Sequence, residues 1–591
     1  MRKILNSLRI PIAVSPYVEA GVVDRGAVIS VNTILASVGI DADESPLAVV
    51  ALALVMLSPA DGGTCVDLES LAQWTFDDEG ADLAWSSDVT VWISEIDKFR
   101  NVIASGEDHN VSPLRPFVLD GYRLYMANSF SEEGSVAEKL ASLLIQDRLR
   151  VITGGPGSGK TTAIAAQLIE RLTVSLDAQE RIVLAAPTGL AAKRMKKALA
   201  DAVLRVNPGP EVAERIEGLK KQTVHKLLAY NPSLRRQYSR NAEKPLEYDL
   251  VILDEVSMMP LSMVARLLDA LGDETSLILV GDKDQLASVE SGNVLADIVQ
   301  ASSDGPSFVK VMNGKHRFKS GSPVAELSEC VNSGDFTQAK AVLIKEFPTG
   351  VDEKGDPLPR FSWISPEENA AELEKTAQLV LKHALELCER AKSAKDDKSL
   401  LEVLRFREKL QVICAHKRGA LGVSGWNSSI QRAMGPAAKG RWYVGRPVML
   451  TSTDKFHELS NGDIGFIWAD EKKNFFGVFD GTDGIVRVPI AKMGEVETVH
   501  ALTIHKSQGS EYEHTIVVLP SQPSRILTRE LVYTGMTRAK PHLTLISSEE
   551  VLTEAIKKKV KRATGLAPRL LKELEVSRSR WPFVKPDDKQ L

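Results

Sequence analysis

The sequence predicts an α/β protein built on parallel sheets with helices on both faces, and three observations support this. Short leucine-rich or β-branched runs, "RIVLAAP", "DLVILDE" and "SLILVGD", recur between residues 181 and 282. Each is followed by polar or glycine residues and then a helical pattern, the signature of buried parallel strands. A glycine-rich loop, "GGPGSGKT", follows a strand pattern and opens a helix. The same alternation returns late in the chain in "LQVICA", "HTIVVLP" and "HLTLIS".

The bulk properties set bounds on this reading. A chain of 591 residues suggests roughly three to five domains. With 43% hydrophobic and 26% charged residues, it reads as globular throughout. The net charge of −5 gives no global basic excess, although a basic groove on an acidic body would still bind nucleic acid. Cys65, Cys330, Cys388 and Cys414 show neither pairing nor metal spacing, which fits a reducing compartment and buried thiols. Arg9 interrupts the apolar run after Arg2 and Lys3, a poor signal peptide. The longest uncharged apolar run, Leu47–Leu57, is too short to span a bilayer. It reads as a buried helix, and the expected location is the cytoplasm, with no membrane partner.

In chain order, residues 1–112 carry no catalytic pattern. Helical periodicity is expected over Pro46–Leu57 and Val66–Trp74, with Trp85 and Trp92 as core anchors. "PFVLDGYRLYMA" (Pro116–Ala127) reads as a hairpin around Asp120-Gly121. A helix over Val136–Gln146 leads into a strand at Arg150–Thr153, where the strand–helix alternation begins. Glu367–Glu408 reads as a long charged helical region. Residues 441–499 differ, with short strands and many glycines in "GRPVMLTS", "NGDIGFIW", "FFGVFD" and "IVRVPI". These predict a small β-barrel inserted in the second α/β domain. Lys557–Leu591 is basic and proline-bearing, and partial disorder is expected there. No internal repeat is evident. The expected domains are therefore 1–112, 113–325 and 326–591.

The motifs carry the chemistry. Gly154, Gly159, Lys160 and Thr161 fit the phosphate-loop pattern, in the strand-to-helix context it requires. Backbone N–H groups across Gly154, Gly155, Pro156, Gly157, Ser158, Gly159, Lys160, Thr161 and Thr162 would converge on ATP phosphates at a helix N-terminus. Lys160 would reach the β- and γ-phosphates, and Thr161 would ligate Mg2+. "LVILDEVSMM" ends a buried strand in Asp254-Glu255, a costly place for carboxylates without a metal or a reaction. Asp254 would share the Mg2+, and Glu255 would orient and deprotonate the attacking water. Gln285, in "LILVGDKDQLASVESG", can bond both a γ-phosphate and a water. Arg317 in "NGKHRF" and Arg538 in "YTGMTRAK" offer guanidinium forks for transition-state charge. The bland alternatives are a solvated acidic loop and surface salt bridges, and the company of the other motifs weighs against them.

Together with "APTGLAAKRM", "QTVHKLLAY", "GRPVMLTSTDKFHELSNGDIG" and "HALTIHKSQGSEYEHTIVVLP", the set resembles superfamily 1 helicases of the 5′→3′ branch. Within that branch it resembles the RecD family, the alpha subunits of RecBCD exodeoxyribonuclease V, over about residues 115 to 570. The resemblance implies two RecA-like motor domains, a small helical N-terminal partner-binding domain and an SH3-like insert. It implies single-stranded and duplex-end DNA as substrate, bacterial RecB-like and RecC-like subunits in a heterotrimer, and a role in double-strand break repair and recombination. It places Pro187, Thr188, Thr223 and His225 on the DNA path of the first motor. Thr503, His505 and Lys506 would do the same in the second, with Ser507, Gln508, Gly509 and Glu511 coupling DNA to ATP. The chain shows no nuclease constellation, so nuclease activity would belong to a partner. Departures from the family are Leu190 in place of a basic residue, no glutamine near Ala137, Asn128 in place of arginine, and the extension "RSRWPFVKPDDKQL". Two other readings compete. A stand-alone RecD2-like helicase would carry a longer N-terminal region with helix–hairpin–helix motifs. A non-catalytic assembly subunit would have lost Lys160, Glu255 or an arginine.

Overall fold

The computed structural model describes residues 9–75, 83–107, 115–174, 180–231, 233, 237–312, 323–345, 360–454, 456–481 and 484–580. Its N-terminal part packs the helices Arg25–Ser37, Pro46–Leu57 and Val89–Asp97 around one apolar core. Pro46–Leu57 is helical as expected. Ser45 caps it by accepting from the Ala48 N–H, and Pro46 starts its first turn. Trp92 is fully buried, and Trp85 meets it edge-on with ring centroids 4.8 Å apart.

Two expectations for this region are corrected. Val66–Trp74 is not a single helix. Cys65–Asp67 is a strand, and only Leu68–Ala72 is helical. The Asp67 carboxylate accepts from the Ser70 N–H, so the residue that ends the strand also caps the helix. The hairpin Phe117–Asp120/Arg123–Met126 forms as read, with Gly121 at φ 59°. Its strands, however, pair with Cys65–Asp67 and Ile103–Ser105 in a four-stranded sheet. A boundary at 112 would cut this sheet, and the N-terminal unit runs on to Met126 as a mixed helix-and-sheet body.

The helix Ala127–Ile145 then starts well before Val136 and leads into a six-stranded sheet. Its order is Val309–Val311, Leu149–Thr153, Ser276–Gly281, Leu250–Leu253, Ile182–Ala186, Lys220–Thr223. Every pairing is parallel. Separate apolar clusters cover its two faces, as continuous buried strands require. A second parallel sheet orders Arg360–Ile364, Ala539–Ile546, Tyr512–Val518, Leu410–Cys414 and Ala501–Thr503. The charged region is the helix pair Ala370–Ser393 and Asp397–Arg407.

Inserted in this second body is an antiparallel sheet ordered Ile485–Pro489, Phe475–Asp480, Ile464–Ala469, Pro447–Leu450, Val496–Thr498. Among the described residues the strand pairing gives a five-stranded sheet. Phe466 and Val478 on one face pack against Leu387, Leu400 and Leu404 of the helix pair. Part of the C-terminal stretch is regular structure. Leu566–Arg580 is a helix, and its Leu566, Ala567, Leu570 and Leu574 enter the core of the first parallel sheet. The chain therefore crosses back from the second body to the core of the first. Residues 581–591 of the extension lie outside the described residues. No helix among the described residues is long and apolar enough to cross a membrane.

Candidate nucleotide cleft and nucleic-acid track

The strand Leu149–Thr153 feeds a glycine-rich turn that ends in the helix Lys160–Val174. Gly157 and Gly159 take φ of 73° and 92°, a region that disfavours side chains. A Cβ on Gly154 would lie 2.5 Å from the Met312 carbonyl oxygen, so the backbone passes too closely for any other residue. Lys160 Nζ donates to the Gly154 and Gly155 carbonyls at 2.5 and 2.9 Å. The buried Ser158 hydroxyl has no partner among the described residues. Converging N–H groups, a lysine and an unpaired hydroxyl at a helix N-terminus suit a polyphosphate.

The buried strand Leu250–Leu253 delivers the two carboxylates. Asp254 keeps some exposure to the cleft, but burial, and then Glu255, push its carboxyl up to about 7. The Glu255 N–H, donating at 2.8 Å, and Lys160 work against that rise. Glu255 itself adopts φ 55°, a left-handed conformation costing about 1–3 kcal/mol in a non-glycine residue. Strain of this kind, held beside a raised carboxyl, marks a site shaped for chemistry. A cation of Mg2+ type, taken by Thr161 and Asp254, would relieve the unfavourable carboxylate.

The next strand, Ser276–Gly281, ends in Asp282, whose carboxyl burial also raises. Here the second body meets the first. Tyr533 Oη donates to Asp282 Oδ2 at 3.0 Å. The Leu286 N–H donates to Thr534 Oγ1, and Gln508 Nε2 donates to the Leu286 carbonyl, both at 2.8 Å. Gln285 lies in the same turn, with its Oε1 buried and unpartnered. Arg538, only 3% exposed, spreads its guanidinium over the Thr534 and Ser510 carbonyls at 3.0 and 3.2 Å. Between the bodies lies a cleft of about 920 Å³ lined by Lys160, Thr161, Asp254, Glu255, Gln285 and Arg538, among others. Arg317 lies outside the described residues.

On the track side, Thr188 caps the helix Gly189–Val206 by accepting from the Ala191 N–H at 3.2 Å. Pro187, half-buried, ends the strand before it. Thr223 accepts from the Lys226 N–H at 3.3 Å, and Thr503 accepts from the Lys506 N–H at 3.2 Å. Burial lowers the pKa of both His225 and His505, so both rings are neutral at pH 7 and can act as hydrogen-bond partners. A Cβ on Gly509 would sit 3.5 Å from Thr188 Oγ1, so the "HKSQGSE" segment touches the first track turn while Gln508 reaches toward the cleft.

Comparison with known proteins agrees with this architecture. Residues 138–291 match the AAA domain family, and residues 498–546 match the UvrD-like helicase C-terminal domain. A Mycolicibacterium smegmatis protein named RecBCD enzyme subunit RecD is 34% identical, covering 90% of this chain and 95% of that protein. The chain belongs to the RecD family. Haemophilus influenzae RecD is 32% identical over 73% of the chain and 71% of its own length. The ATP-dependent RecD2 DNA helicase of Deinococcus radiodurans is 29% identical over 69% of this chain, but over only 48% of that protein. A solved Pif1 helicase from Bacteroides, in complex with ADP-AlF3 and ssDNA, aligns with a TM-score of 0.35 at 16% identity, covering 75% of this chain and 97% of that one. That score is too low to argue from. As a RecD-family protein the chain is an ATP-dependent DNA helicase of the 5′→3′ branch of superfamily 1.

Some contacts of this RecD-family cleft escape sequence reasoning. Asp282, Tyr533 and Thr534 form the seam between the bodies, and no local pattern pairs residues so far apart in the chain. Arg194 reaches the Glu511 carbonyl at 3.4 Å, although "AAKRM" flags it only as one basic residue among several. The repeated turns, "TVHK" at 223–226 and "TIHK" at 503–506, were legible.

Proposed function

We propose that this helicase is the 5′→3′ single-strand translocase subunit of a bacterial, cytoplasmic RecBCD-type heterotrimer acting on duplex ends. The relatives named RecBCD enzyme subunit RecD support the complex, and the seam at Leu286 supports the motor. There the second body holds both the N–H and the C=O of a residue next to Gln285, so motion between the bodies reaches the γ-phosphate position. In this reading the six- and five-stranded parallel bodies are two RecA-like motors. The antiparallel insert is an SH3-like module, and the N-terminal body faces the RecC-like partner.

Lys160 leaves the Gly154 and Gly155 carbonyls to bind the β- and γ-phosphates, and the loop N–H groups bind the remaining oxygens. Thr161 and Asp254 would hold Mg2+, which would neutralise phosphate charge when bound. Glu255 orients the attacking water and takes its proton. Gln285 bonds the γ-phosphate and that water. Arg538 turns its fork from the Thr534 and Ser510 carbonyls to the transition-state charge, and Arg317 supplies a second fork. Pro187, Thr188, Thr223, His225, Thr503, His505 and Lys506 grip the DNA backbone without reading sequence. Cleft closure and reopening alternate the two grips and move the strand in an inchworm.

Single-turnover unwinding of 5′-tailed and 3′-tailed duplexes tests this, with Lys160→Gln as control, using the chain alone and with RecB-like and RecC-like subunits. The expected result is ATP-dependent unwinding from the 5′ tail, faster in the complex and lost in the variant. Unwinding from the 3′ tail alone, or a complex unaffected by the variant's motor loss, overturns the reading.

A further inference from the structure

The insert carries a loop between its strands Pro447–Leu450 and Ile464–Ala469 that the motor chemistry does not use. Phe456 stands in this loop with 85% of its surface exposed. A single exposed apolar side chain is ordinary on a protein surface. The mounting and the place of this one are not. Asp454 Oδ1 accepts from the Phe456 and His457 N–H groups at 3.0 and 3.1 Å, and its Oδ2 bonds His457 Nδ1 at 2.7 Å. Asp454 and Leu459 exchange both backbone hydrogen bonds, and Leu459 is buried in the insert core. The turn is therefore fastened at its base, while among the described residues the ring contact found for Phe456 is His457 edge-on, with centroids 4.9 Å apart.

The same loop lies across the first body's track turns. Glu458 Oε1 is 3.8 Å from Lys226 Nζ, beside His225. A Cβ on Gly189, next to Thr188, would be 2.7 Å from Ser460 Oγ. Asp463 fixes the far end, accepting from the Ser460 N–H at 2.9 Å and facing Lys193 Nζ at 3.6 Å. An aromatic ring is thus held out, with almost no contacts of its own, from a loop seated on the turns that contain Thr188 and His225.

We propose that Phe456 is a nucleobase-stacking residue, which receives the face of one unpaired base of the single strand while the threonine turns hold its phosphates. The inference rests on the track reading above. Stacking on an exposed ring is sequence-tolerant, because every base has a π-face. It also adds a grip belonging to the second body's insert on a strand held by the first.

The test uses the full chain and equilibrium binding of two strands of about 12 nucleotides, an oligothymidylate and its abasic counterpart with the same phosphates. The wild type is expected to prefer the base-bearing strand by roughly fivefold or more, the lower end for one stacked base. Phe456→Ala should erase most of that ratio, Phe456→Trp should restore it, and Thr503→Val should weaken both strands alike. A ratio unchanged in Phe456→Ala overturns the stacking proposal, while weakening by Thr503→Val keeps the track. Equal loss on both strands in Phe456→Ala, not restored by Phe456→Trp, makes the residue a structural support and also overturns stacking. Indifference of both strands to Thr503→Val overturns the track reading itself.

Discussion

The two parallel-sheet bodies end an edge strand in nearly the same tetrapeptide, Thr223-Val224-His225-Lys226 in one and Thr503-Ile504-His505-Lys506 in the other. In each, the threonine hydroxyl accepts from the lysine N–H three residues on, and burial keeps the histidine neutral. Away from these turns the bodies diverge. The first carries the glycine cradle and the paired carboxylates, and the second answers with Arg538, Tyr533, Thr534 and Gln508 across the seam. In the proposed reading the grip is duplicated and the chemistry is not. A motor that moves along a strand needs two holds but only one place to hydrolyse ATP.

The largest expected effect breaks the chemical half alone. Glu255→Gln should lower DNA-stimulated phosphate release by roughly 10²–10³-fold, the range for removing one group that acts in the transition state. Nucleotide-free binding of single strands should persist in the same variant, as read by fluorescence anisotropy. Loss of both would mean that hydrolysis and grip are not separate.

Next in size is the seam. Tyr533→Phe removes one donor from the buried Asp282, and leaving such a group short of a partner costs about 1–3 kcal/mol. Stimulation of ATP hydrolysis by DNA should fall by about tenfold, with a smaller change in the DNA-free rate. An equal drop in both rates would place Tyr533 in the chemistry rather than in the coupling.

Smaller still, Thr223→Val and Thr503→Val each delete one hydrogen bond from a backbone N–H, worth about 1 kcal/mol. Each should weaken single-strand binding by roughly fivefold. If only one of the two matters, the bodies do not share the load, and the repeat is a relic of the fold.

The smallest effect concerns pH, and it differs in sign between the bodies. In the first, burial raises the Asp297 carboxyl to about 7, opposed by its hydrogen bond from Thr564. A raised acid favours the folded state when protonated, so its contribution is full below the unfolded value near 3.8 and is lost as pH rises toward 7. In the second, burial lowers His500 to about 3, and His500 shares a hydrogen bond with Tyr443. Its contribution is present above the unfolded value of 6.5 and is lost as pH falls below it. Hydrogen exchange at pH 5 and pH 7.5 should show the second body loosening on acidification. Asp297→Asn should raise the melting temperature more at pH 7.5 than at pH 5. The opposite pattern would remove this distinction between the bodies.

The central strands of both sheets, the phosphate loop and the carboxylate pair could be read in the chain, because each is a local pattern, whereas Lys220–Thr223, Val309–Val311, Arg360–Ile364 and Ala501–Thr503 were not read as strands. Strand periodicity, a glycine demanded by a tight turn and a capping residue act within a few positions of one another. The hairpin at Phe117–Met126 was also legible, but not its sheet, because its partner strands are short and lack a pattern of their own. What the tertiary structure alone decided lies in contacts across the chain. Leu566–Leu574 returns to complete the first core, Tyr533 finds Asp282 across 251 positions, and the insert loop settles on Gly189 and Lys226. These pairings come from burying apolar faces and satisfying buried polar groups in three dimensions. Nothing in the spacing of residues along a chain encodes which distant surface will cover which.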